Sequence, residues 1–317
     1  MSNQPVIPQS SSRPSASSRT FDYALVDVFA ERPLEGNPLA VFTDARGLST
    51  GEMQAIARET NLSETTFIVP RPPEVERERG VQVRIFTVAE ELQFAGHPTL
   101  GTASWLYWNH ASLRGAEQIM LDLRVGPIPV RFDAPGKEEQ GVFGTMKQND
   151  PAFGEIHDRT ALAEALGLAG DDLDPKLPAQ TVSTGMAFCI VPLRSTQAAA
   201  RLAIPQNKAR AYLERSDAKF FHCITRADAG SGADWHARMQ FYNGEDPATG
   251  SASGCAIAYL VRHGLVASGQ TVVIEQGVEM HRPSRIHVSA TIDGAQVSNV
   301  FVAGRTIIVA MGRLFLP

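Results

Sequence analysis

The stretch FAGHPTLGTA, residues 94–103, returns in altered form as GEDPATGSA, residues 244–252. Aligning Pro98 with Pro247 requires a shift of 149 positions. The residue before each proline is a histidine in the first copy and an aspartate in the second. The two stretches therefore predict that the chain contains a duplication. The copies differ at one ionisable position.

A second match supports the duplication. The same shift places Gly36 of EGNPLAVF on Gly185 of STGMAFCIV, each at the head of an apolar, strand-like run. Arrays of short repeats have periods of roughly 20–50 residues, far shorter than this shift. The sequence therefore predicts a protein with two similar halves.

Strand and helix signals alternate around these anchors. The segment STGEMQAIARETN, residues 49–61, has a capping box of Ser49 and Glu52 and ends near Asn61, which predicts a helix. Residues 161–168 predict another short helix, and short β-branched or aromatic runs predict strands. Many strands with few helices predict an α+β class rather than regular βαβ winding. The predicted strands are residues 23–30, 37–43, 65–70, 81–88, 186–193, 238–242, 271–277, 285–292 and 306–316.

The two proline motifs look like the starts of two buried helices. Proline suits the first helical position because its missing N–H would lack a partner there. The dipeptides His-Pro at residues 97–98 and Asp-Pro at 246–247 therefore each predict an N-cap followed by the first helical residue. The residues that follow, 99–108 and 248–261, contain no charged side chain. Since a helix that is apolar all round is buried all round, each half is predicted to be a sheet curled around one central helix.

The start of a buried helix presents unpaired N–H groups and a partial positive charge, which suits a carboxylate or phosphate. Gly101 and Gly250 are predicted to lie in the first turns, where glycine costs about 1 kcal/mol relative to alanine. Close approach of a ligand or of the other helix would explain them. A pseudo-twofold axis would make the helix starts face each other across one cleft, with His97 on one wall and Asp246 on the other. Histidine is not a favoured N-cap, so His97 is the more informative of the two.

Composition disfavours several classes of function. A net charge of −5 and a pI near 5.9 give no reason to expect a nucleic-acid partner or an anionic membrane surface. Residues 1–20 are rich in Ser, Pro and Gln and lack the apolar run of a secretory signal, so a disordered tail and a cytoplasmic location are expected. The three widely spaced cysteines read as reduced core thiols. The eight histidines form no metal-binding motif, so no metal is expected.

Seven motifs, in order along residues 21–317, resemble those of the PhzF-like phenazine biosynthesis family. The fold of that family is similar to diaminopimelate epimerase, with two pseudo-symmetric lobes, each a curled mixed β-sheet around a central buried helix. The resemblance implies a tail at residues 1–20, a first lobe at 21–133 and a second lobe at 134–305, with the last strand, residues 306–317, returning to the first lobe. The motifs are GNPLAVF (36–42), NLSETTFI (61–68), ELQFAGHPTLGTA (91–103), VSTG (182–185), EDPATGSASG (245–254), EQGVEMHRPS (275–284) and VAGRTIIVAMGRL (302–314).

The resemblance also implies an activity. The phenazine enzyme isomerises a dihydro-hydroxyanthranilate by moving a proton along the ring, without a metal or organic cofactor, and is a homodimer. Its catalytic residues fall on Glu64, His97 and Asp246. Glu64 would be the general base, with a pKa raised by an apolar cleft. His97 would relay a proton or polarise the substrate, and Asp246 would orient a substrate amine or join the relay. Contacts to a small carboxylated substrate fall on Ser63, Gly96, Gly250 and Ser251.

The sequence departs from the family at two positions. Gln93 stands where proline is frequent, and His281 stands where glycine is usual, which would place a side chain near the predicted cleft. An amino-acid epimerase and a catalytically idle interaction scaffold are therefore alternatives. Related epimerases use two cysteines near the positions of His97 and Asp246, and neither motif has one here. Nucleotide-phosphate binding lacks support, because the chain has no matching glycine-rich motif.

Overall fold

The computed structural model describes residues 19–133, 140–241 and 244–317. In this part of the chain, many strands and few helices form a mixed structure, as the α+β prediction requires. The α-helices are α1 (Thr50–Thr60), α2 (Pro73–Arg79), α3 (Gly96–Asn109), α4 (Arg159–Leu166), α5 (Thr196–Ala200), α6 (Gln206–Leu213) and α7 (Gly250–Arg262). The strands are β1 (Arg19–Val28), β2 (Asn37–Phe42), β3 (Thr65–Ile68), β4 (Val81–Phe86), β5 (Glu91–Leu92), β6 (Gln118–Leu123), β7 (Gly126–Phe132), β8 (Val142–Lys147), β9 (Ala152–Ile156), β10 (Gln180–Ser183), β11 (Ala187–Pro192), β12 (Phe220–Arg226), β13 (Trp235–Phe241), β14 (Gly244–Glu245), β15 (Val272–Gln276), β16 (Ser284–Asp293) and β17 (Gln296–Leu316).

The strands of the first lobe close into a barrel. β1 and β2 are antiparallel, β2 and β3 parallel, β3 and β4 antiparallel, β4 and β6 parallel, and β6 and β7 antiparallel. β8 pairs with β7, and β17 closes the ring because it pairs with β8 on one side and with β1 on the other. α3 packs against β1, β2, β6 and β8, as predicted for the central helix of the first half.

The second lobe repeats this order of strands. β10 and β11 are antiparallel, β11 and β12 parallel, β12 and β13 antiparallel, β13 and β15 parallel, and β15 and β16 antiparallel. α7 packs against β10, β11, β12 and β16, and so takes the place of α3. The two-lobed, pseudo-symmetric fold predicted from the sequence is confirmed by this repeated topology.

β17 belongs to both lobes. Its residues 296–303 pair with β16, and its residues 306–316 pair with β1. The last strand therefore returns to the first lobe along the edge of β1. The predicted lobe boundary between residues 133 and 134 stays a prediction, because β8 pairs both with β7 and with β17.

The start of the chain differs in part from the predicted tail. Residues 1–18 lie outside the described residues. Arg19 and Thr20, which the prediction includes in the tail, pair with Leu316 and Phe315 as the first residues of β1.

α1 forms where the capping box predicts it. The Ser49 hydroxyl accepts a hydrogen bond from the backbone N–H of Glu52, while the Glu52 carboxylate accepts one from the backbone N–H of Ser49. Met53 and Ile56 lie on the buried face, and Asn61 ends the helix in the left-handed conformation with φ 51°. The sequence signals that define this helix are therefore confirmed one by one.

The other predicted elements are present with shifted ends. The helix predicted at 161–168 is α4, and the predicted strands fall on β1, β2, β3, β4, β11, β13, β15, β16 and β17. Residue 242, at the end of the strand predicted at 238–242, lies outside the described residues. The sequence reading missed several elements, and α2 shows why: its run PEVERER has no buried residue, so no apolar periodicity marks it.

One large apolar cluster joins the two lobes. It surrounds α3 and α7 and includes Leu100 and Ile257 from the two helices, both fully buried. Cys189, Cys223 and Cys255 are free and buried in the apolar core, as predicted. In the described ranges, no helix has the length and apolar character needed to cross a membrane.

Candidate active site

α3 begins one residue before the predicted start. Ala95 is the N-cap, with an extended backbone, and the N–H of Thr99 donates the first helical bond to the Ala95 carbonyl at 3.3 Å. Gly96 is the first helical residue, so His97 is the second and Pro98 the third. The prediction that His97 is the N-cap is therefore wrong. Proline is tolerated throughout the first turn, where the N–H groups have no helical acceptor, and so it does not fix the first residue.

α7 begins further from its proline. Thr249 is the N-cap and Gly250 the first helical residue, so Asp246 lies outside the helix. The prediction that Asp246 caps this helix is also wrong. The physical reason is that side-chain donors occupy the Asp246 carboxylate, which leaves it unavailable to the helix N–H groups.

The helix starts give the structural frame of the duplication. The hydroxyl of Thr99 donates to the carbonyl of Ala95 at 2.6 Å, and the hydroxyl of Ser253 donates to the carbonyl of Thr249 at 2.9 Å. Each bond runs from the fourth helical residue to the N-cap, in α3 and in α7 alike. Equivalent residues of the two helices therefore differ by 154 in number. The shift of 149 positions that aligns the prolines is therefore not the structural correspondence.

Two glycines allow the helix starts to meet. A Cβ atom added to Gly96 would lie 3.0 Å from the backbone nitrogen of Ser251 in the other lobe. A Cβ atom added to Gly250 would lie 2.9 Å from the ring of Phe29. The two helix starts therefore face each other, as predicted. Gly101 has a different role, because a Cβ there would lie 2.7 Å from side chains of β1 and β2, and the predicted ligand approach at this residue is wrong.

Glu64 and His97 form a buried contact in the first lobe. Glu64 lies in the connection between α1 and β3, and its residue is 7% exposed; His97 is 3% exposed. The Nδ1 atom of His97 lies 3.5 Å from Oε2 of Glu64. Neither Oε2 of Glu64 nor Nε2 of His97 has a hydrogen-bond partner among the described residues. Both side chains therefore keep hydrogen-bonding capacity for a bound molecule.

Three donors hold the buried carboxylate of Asp246. Oδ1 accepts from Nδ2 of Asn37 at 2.9 Å and from the hydroxyl of Ser63 at 2.6 Å, and Oδ2 accepts from the hydroxyl of Thr249. Asn37 and Ser63 belong to the first lobe, whereas Asp246 belongs to the second. The carboxylate therefore links the two lobes, and the Ser63 hydroxyl, predicted to contact substrate, donates to Asp246 in this structure.

Burial changes the proton affinity of all three residues. Burial, together with the nearby charge of Asp246, raises the pKa of Glu64 well above its ordinary value. Burial also raises the pKa of Asp246, but its three hydrogen-bond donors oppose the rise. Burial lowers the pKa of His97 to about 3, so its ring is neutral. The surroundings of the two carboxyl groups thus move their pKa values apart, and Glu64 has the higher pKa of the two.

The three residues line one small cavity between the lobes. Its volume is about 20 Å³, which holds about one water molecule. Of the predicted substrate contacts, Gly96, Gly250 and Ser251 line the cavity, whereas Ser63 is not among the described lining residues. The described residues that line it are Glu64, Leu92, Ala95, Gly96, His97, Met186, Phe188, Phe220, Met239, Asp246, Thr249, Gly250 and Ser251.

Two buried amides that the sequence reading missed complete the site. Asn37, at the start of β2, is fully buried and contacts Asp246. Gln276, at the end of β15, donates to the backbone carbonyl of Asp246 at 2.6 Å and accepts from the backbone N–H of Thr249 at 3.3 Å. Both amides lie within motifs quoted above, GNPLAVF and EQGVEMHRPS. No local pattern in either motif marks these amides as part of the site.

The two departures from the family pattern lie away from the cavity. Gln93 and His281 are exposed, and neither is among the described residues that line it. His281 adopts a left-handed backbone with φ 56°, a conformation that glycine enters without a steric penalty. The left-handed backbone at this position therefore explains why glycine is usual there. The expectation that His281 places a side chain near the cleft is wrong.

Comparisons with known proteins agree with this fold. A family model described as phenazine biosynthesis-like protein, PhzC-PhzF, matches residues 26–312. The chain is similar to the trans-2,3-dihydro-3-hydroxyanthranilate isomerase of Pseudomonas aeruginosa, with 36% identity over 297 residues, which cover 93% of this chain and 99% of that protein.

Solved structures give the same picture. A PhzF-family phenazine biosynthesis protein of Bacillus anthracis matches with a TM-score of 0.81 at 25% identity, over 94% of this chain and 100% of that one. A protein of Pseudomonas aeruginosa described as a predicted epimerase matches with a TM-score of 0.78 at 35% identity, over 93% and 99%. A hydroxyproline epimerase of Agrobacterium vitis shares the fold alone, with a TM-score of 0.62 at 11% identity over 94% and 93%.

Proposed function

Because the chain belongs to the PhzC-PhzF family of phenazine biosynthesis-like proteins, we propose that it is an isomerase that moves a proton between two carbons of a small dihydroaromatic carboxylic acid. The proposed substrate is trans-2,3-dihydro-3-hydroxyanthranilate or a close analogue. One observation carries the proposal: Glu64, His97 and Asp246 converge from both lobes on a single closed cavity.

We propose Glu64 as the general base. In the unliganded cavity, burial and the nearby charge of Asp246 raise the pKa of its carboxyl group well above the ordinary value. The positive charge of a substrate amino group would lower the pKa of Glu64, so that any proton on it passes to solvent water and the carboxylate is free to act as base. The carboxylate then takes a proton from one ring carbon, and the electron pair of the broken C–H bond spreads into the adjoining double bonds. Protonated Glu64, whose carboxyl hydrogen exchanges with solvent, delivers a proton to a different ring carbon, so substrate and product have the same composition.

His97 and Asp246 have complementary proposed roles. The ring of His97 is neutral, and its Nε2 atom has no partner among the described residues, so it is suited to polarise the substrate or to relay a proton without introducing charge. The Asp246 carboxylate, held by three donors, would orient the substrate amine by an ion pair.

The paired helix starts are the proposed site for the substrate carboxylate. N–H groups in the first turn of α3 and of α7 have no helical acceptors, and Gly96, Gly250 and Ser251 line the cavity. The positive ends of both helix dipoles point to the same place. They would hold the carboxylate and stabilise the negative charge that develops after proton removal.

Solvent-deuterium incorporation tests the proposal. Wild-type protein incubated with the proposed substrate in D₂O should introduce deuterium at a ring carbon, and Glu64→Gln should reduce the rate at least about a hundredfold, the usual range for loss of a general base. Glu59→Gln, on the exposed face of α1, is the matched control and should behave as wild type. Equal incorporation by Glu64→Gln and wild type would remove Glu64 as the base. No incorporation by wild type would reject the proposed substrate.

The cavity favours this chemistry over racemisation by two thiols. No cysteine is among the described residues that line it. Cys255 is buried in α7, with its sulfur 3.5 Å from the Thr184 hydroxyl. A scaffold role without catalysis would be favoured instead if a partner remained bound to the triple variant Glu64→Gln, His97→Gln, Asp246→Asn while wild type turned over no metabolite.

The assembly and location are both proposals: the homodimer rests on the family resemblance, and the location on the expectation given in the sequence analysis. We propose a cytoplasmic homodimer. Light scattering after size-exclusion chromatography should give twice the chain mass of 34.3 kDa. A mass of one chain would reject the dimer.

A further inference from the structure

Asn37 is a buried amide that touches two of the three acid–base residues. Its Nδ2 atom lies 2.9 Å from Oδ1 of Asp246, 2.9 Å from the carbonyl oxygen of Ala248 and 3.3 Å from Nδ1 of His97. Asn37 is fully buried at the first residue of β2, whereas Asp246 and Ala248 belong to the other lobe. Asn37 therefore holds the segment that precedes α7 at two points, the Asp246 carboxylate and the Ala248 carbonyl.

The hydrogens of this amide can be assigned by counting. An NH₂ group has two hydrogens, and the two oxygen acceptors at 2.9 Å, on Asp246 and Ala248, use both. The longer contact with His97 Nδ1 is then left without a hydrogen from Asn37. That nitrogen faces Oε2 of Glu64 at 3.5 Å.

The orientation of the amide follows from its neighbours. A carbonyl oxygen in the place of Nδ2 would face the two acceptor oxygens of Asp246 and Ala248 and would be repelled. With Nδ2 in this place, Oδ1 of Asn37 is buried without a partner among the described residues. An unsatisfied buried acceptor is unfavourable for stability. A benefit to the site, rather than to the fold, therefore explains an amide at this position.

The charges around Asp246 are few. Glu64 and His97 face it from the first lobe, and the adjoining Glu245 is paired with Arg238. The neutral donors of Asn37, Ser63 and Thr249 therefore carry the stabilisation of the Asp246 anion. Thr249 has its hydroxyl oriented by Gln276, whose Nε2 donates to it at 3.0 Å, so the Thr249 hydrogen is directed to Asp246.

We propose that Asn37 is a positioning residue that holds Asp246 ionised and aligned across the lobe interface, and so leaves Glu64 as the proton-bearing carboxyl group. This inference rests on the proposed function for its catalytic meaning, although the ionisation of Asp246 is measurable without turnover. Because the donor comes from the opposite lobe, the alignment exists only while the lobes are closed. Asn37 thus couples lobe closure to the state of the acid–base pair.

Carboxyl titration of the full-length protein provides the test. Aspartate labelled with ¹³C at Cγ is followed by NMR, and the Asp246 signal is assigned by its loss in Asp246→Asn. In Asn37→Ala the titration midpoint of Asp246 should rise by about one pH unit, a tenfold change in its acid dissociation constant, since one donor to a charged acceptor is lost. The acid limb of the kcat/KM profile should move by the same amount.

Gln148→Ala is the matched control. Gln148 is also a buried amide. Its Nε2 donates to the backbone carbonyl of Gly250, the first residue of α7, at 3.0 Å, and its Oε1 accepts from the Thr184 hydroxyl. Neither of these partners is a carboxyl group. It should lower thermal stability without moving the Asp246 midpoint. Asn37→Ser, a milder change, gives the same reading if Asn37→Ala does not fold.

The outcomes separate the two proposals. An unchanged Asp246 midpoint in the Asn37 variants, or an equal rise in Gln148→Ala, would overturn the positioning role. A raised midpoint together with no turnover by wild type would support the role of Asn37 and reject the proposed substrate. A raised midpoint with a shifted rate profile supports both.

Discussion

Single residues in the site have charges that are set by burial. Burial lowers the pKa of His97 to about 3. We expect ¹⁵N NMR of the His97 ring to show a neutral imidazole between about pH 5 and about pH 8, where an ordinary histidine changes charge near 6.5. The rate profile should accordingly lack a limb from this residue. A His97 ring that titrates near 6.5 would contradict the burial argument.

His222 gives a prediction about stability that is independent of the site. It lies on β12, is fully buried, and neither ring nitrogen has a hydrogen-bond partner among the described residues. Burial lowers its pKa to about 3. Below about pH 6.5 the unfolded chain therefore takes up a proton that the folded chain does not, and the folded state loses stability as the pH falls toward 3.

The variant His222→Leu removes this proton uptake. The difference in the free energy of unfolding, His222→Leu minus wild type, should grow by about 1.4 kcal/mol for each unit that the pH falls below about 6.5. Urea denaturation at about pH 7, 6 and 5 measures the difference. A difference that does not change with pH would show that the folded ring titrates like the unfolded one.

His281 gives a prediction about backbone strain. Its left-handed conformation, φ 56°, costs a residue with a Cβ atom about 1 kcal/mol or more. His281→Gly should raise the free energy of unfolding by about that amount, and kcat/KM should stay unchanged because the side chain lies outside the described cavity lining. Asn61→Gly is the control, since asparagine at φ 51° is already well tolerated and should gain less. A changed substrate preference in His281→Gly would contradict this account.

Sequence reasoning at this scale found the ionisable residues but not the amides that hold them. Glu64, His97 and Asp246 were predicted because their residue types suit acid–base chemistry within a known motif. Asn37 was not, because its role arises from a contact with a residue 209 positions later. Side-chain partners that distant are fixed by the folded topology and leave no local pattern.

Helix starts are the elements on which the site depends, and Gly96 tests them. A Cβ at this position would lie 3.0 Å from the backbone nitrogen of Ser251, so Gly96→Ala should push the starts of α3 and α7 apart. We expect kcat/KM to fall more than about tenfold, since small displacements of positioning groups have effects of this size or larger.

Gly51→Ala is the matched control for this prediction. Gly51 lies in the first turn of α1, and a Cβ there would meet nothing within 4 Å. Alanine should therefore stabilise α1 by up to about 1 kcal/mol and leave activity intact. Full activity in Gly96→Ala would show that the contact between the helix starts is dispensable.

The helices also show which local signals are reliable. The capping box of α1 predicted its start because both partners of the box lie within one turn, and Asn61 predicted its end because asparagine tolerates the left-handed conformation. The prolines of the two motifs predicted that helices lie there but not where they begin, because Pro98 lies inside the first turn of α3 whereas Pro247 precedes α7. The charge-free runs predicted burial correctly for α7 and for the first part of α3, whereas Trp105, Tyr107 and Trp108 of α3 are half-buried.

The whole molecule is closed around its site. The cavity volume of about 20 Å³ is far below the roughly 300 Å³ of small-ligand pockets, so the lobes must separate to admit a ring. Nζ of Lys219, in the second lobe, lies 3.0 Å from Oε1 of Glu90, in the first. Phe220 and Leu92 line the cavity. Lys219 comes directly before Phe220 in the chain, and Glu90 comes two residues before Leu92. This ion pair therefore bridges the lobes beside the site.

Charge reversal tests this bridge. Glu90→Lys alone and Lys219→Glu alone place like charges together and should destabilise the closed form. A partly exposed pair is worth up to about 1 kcal/mol, so KM should rise up to about fivefold. The double variant, which restores opposite charges, should recover the wild-type KM. Equal KM values in all four proteins would show that the pair does not contribute to closure.

The two-lobed plan was predictable because two charge-free runs, residues 99–108 and 248–261, each mark a helix at the centre of one half. The repeated order of strand directions confirms it, although the proline-based shift was wrong by a few residues. The exact pairing partners, including the contact of β17 with β8, were not predictable, since a strand signal does not state which neighbour it will meet.

The double membership of β17 has a consequence for biosynthesis. The edge of β1 that receives residues 306–316 has no partner until those residues leave the ribosome. At about 5–20 residues per second, the stretch between them takes roughly 15 to 60 seconds to translate. During this interval a ten-residue strand presents an open edge, the kind of surface that promotes association between chains. Synthesis of the N-terminal lobe thus begins first, but its sheet is completed last, when β17 pairs with β1. The nascent chain is therefore a candidate client for chaperones that shield exposed strands.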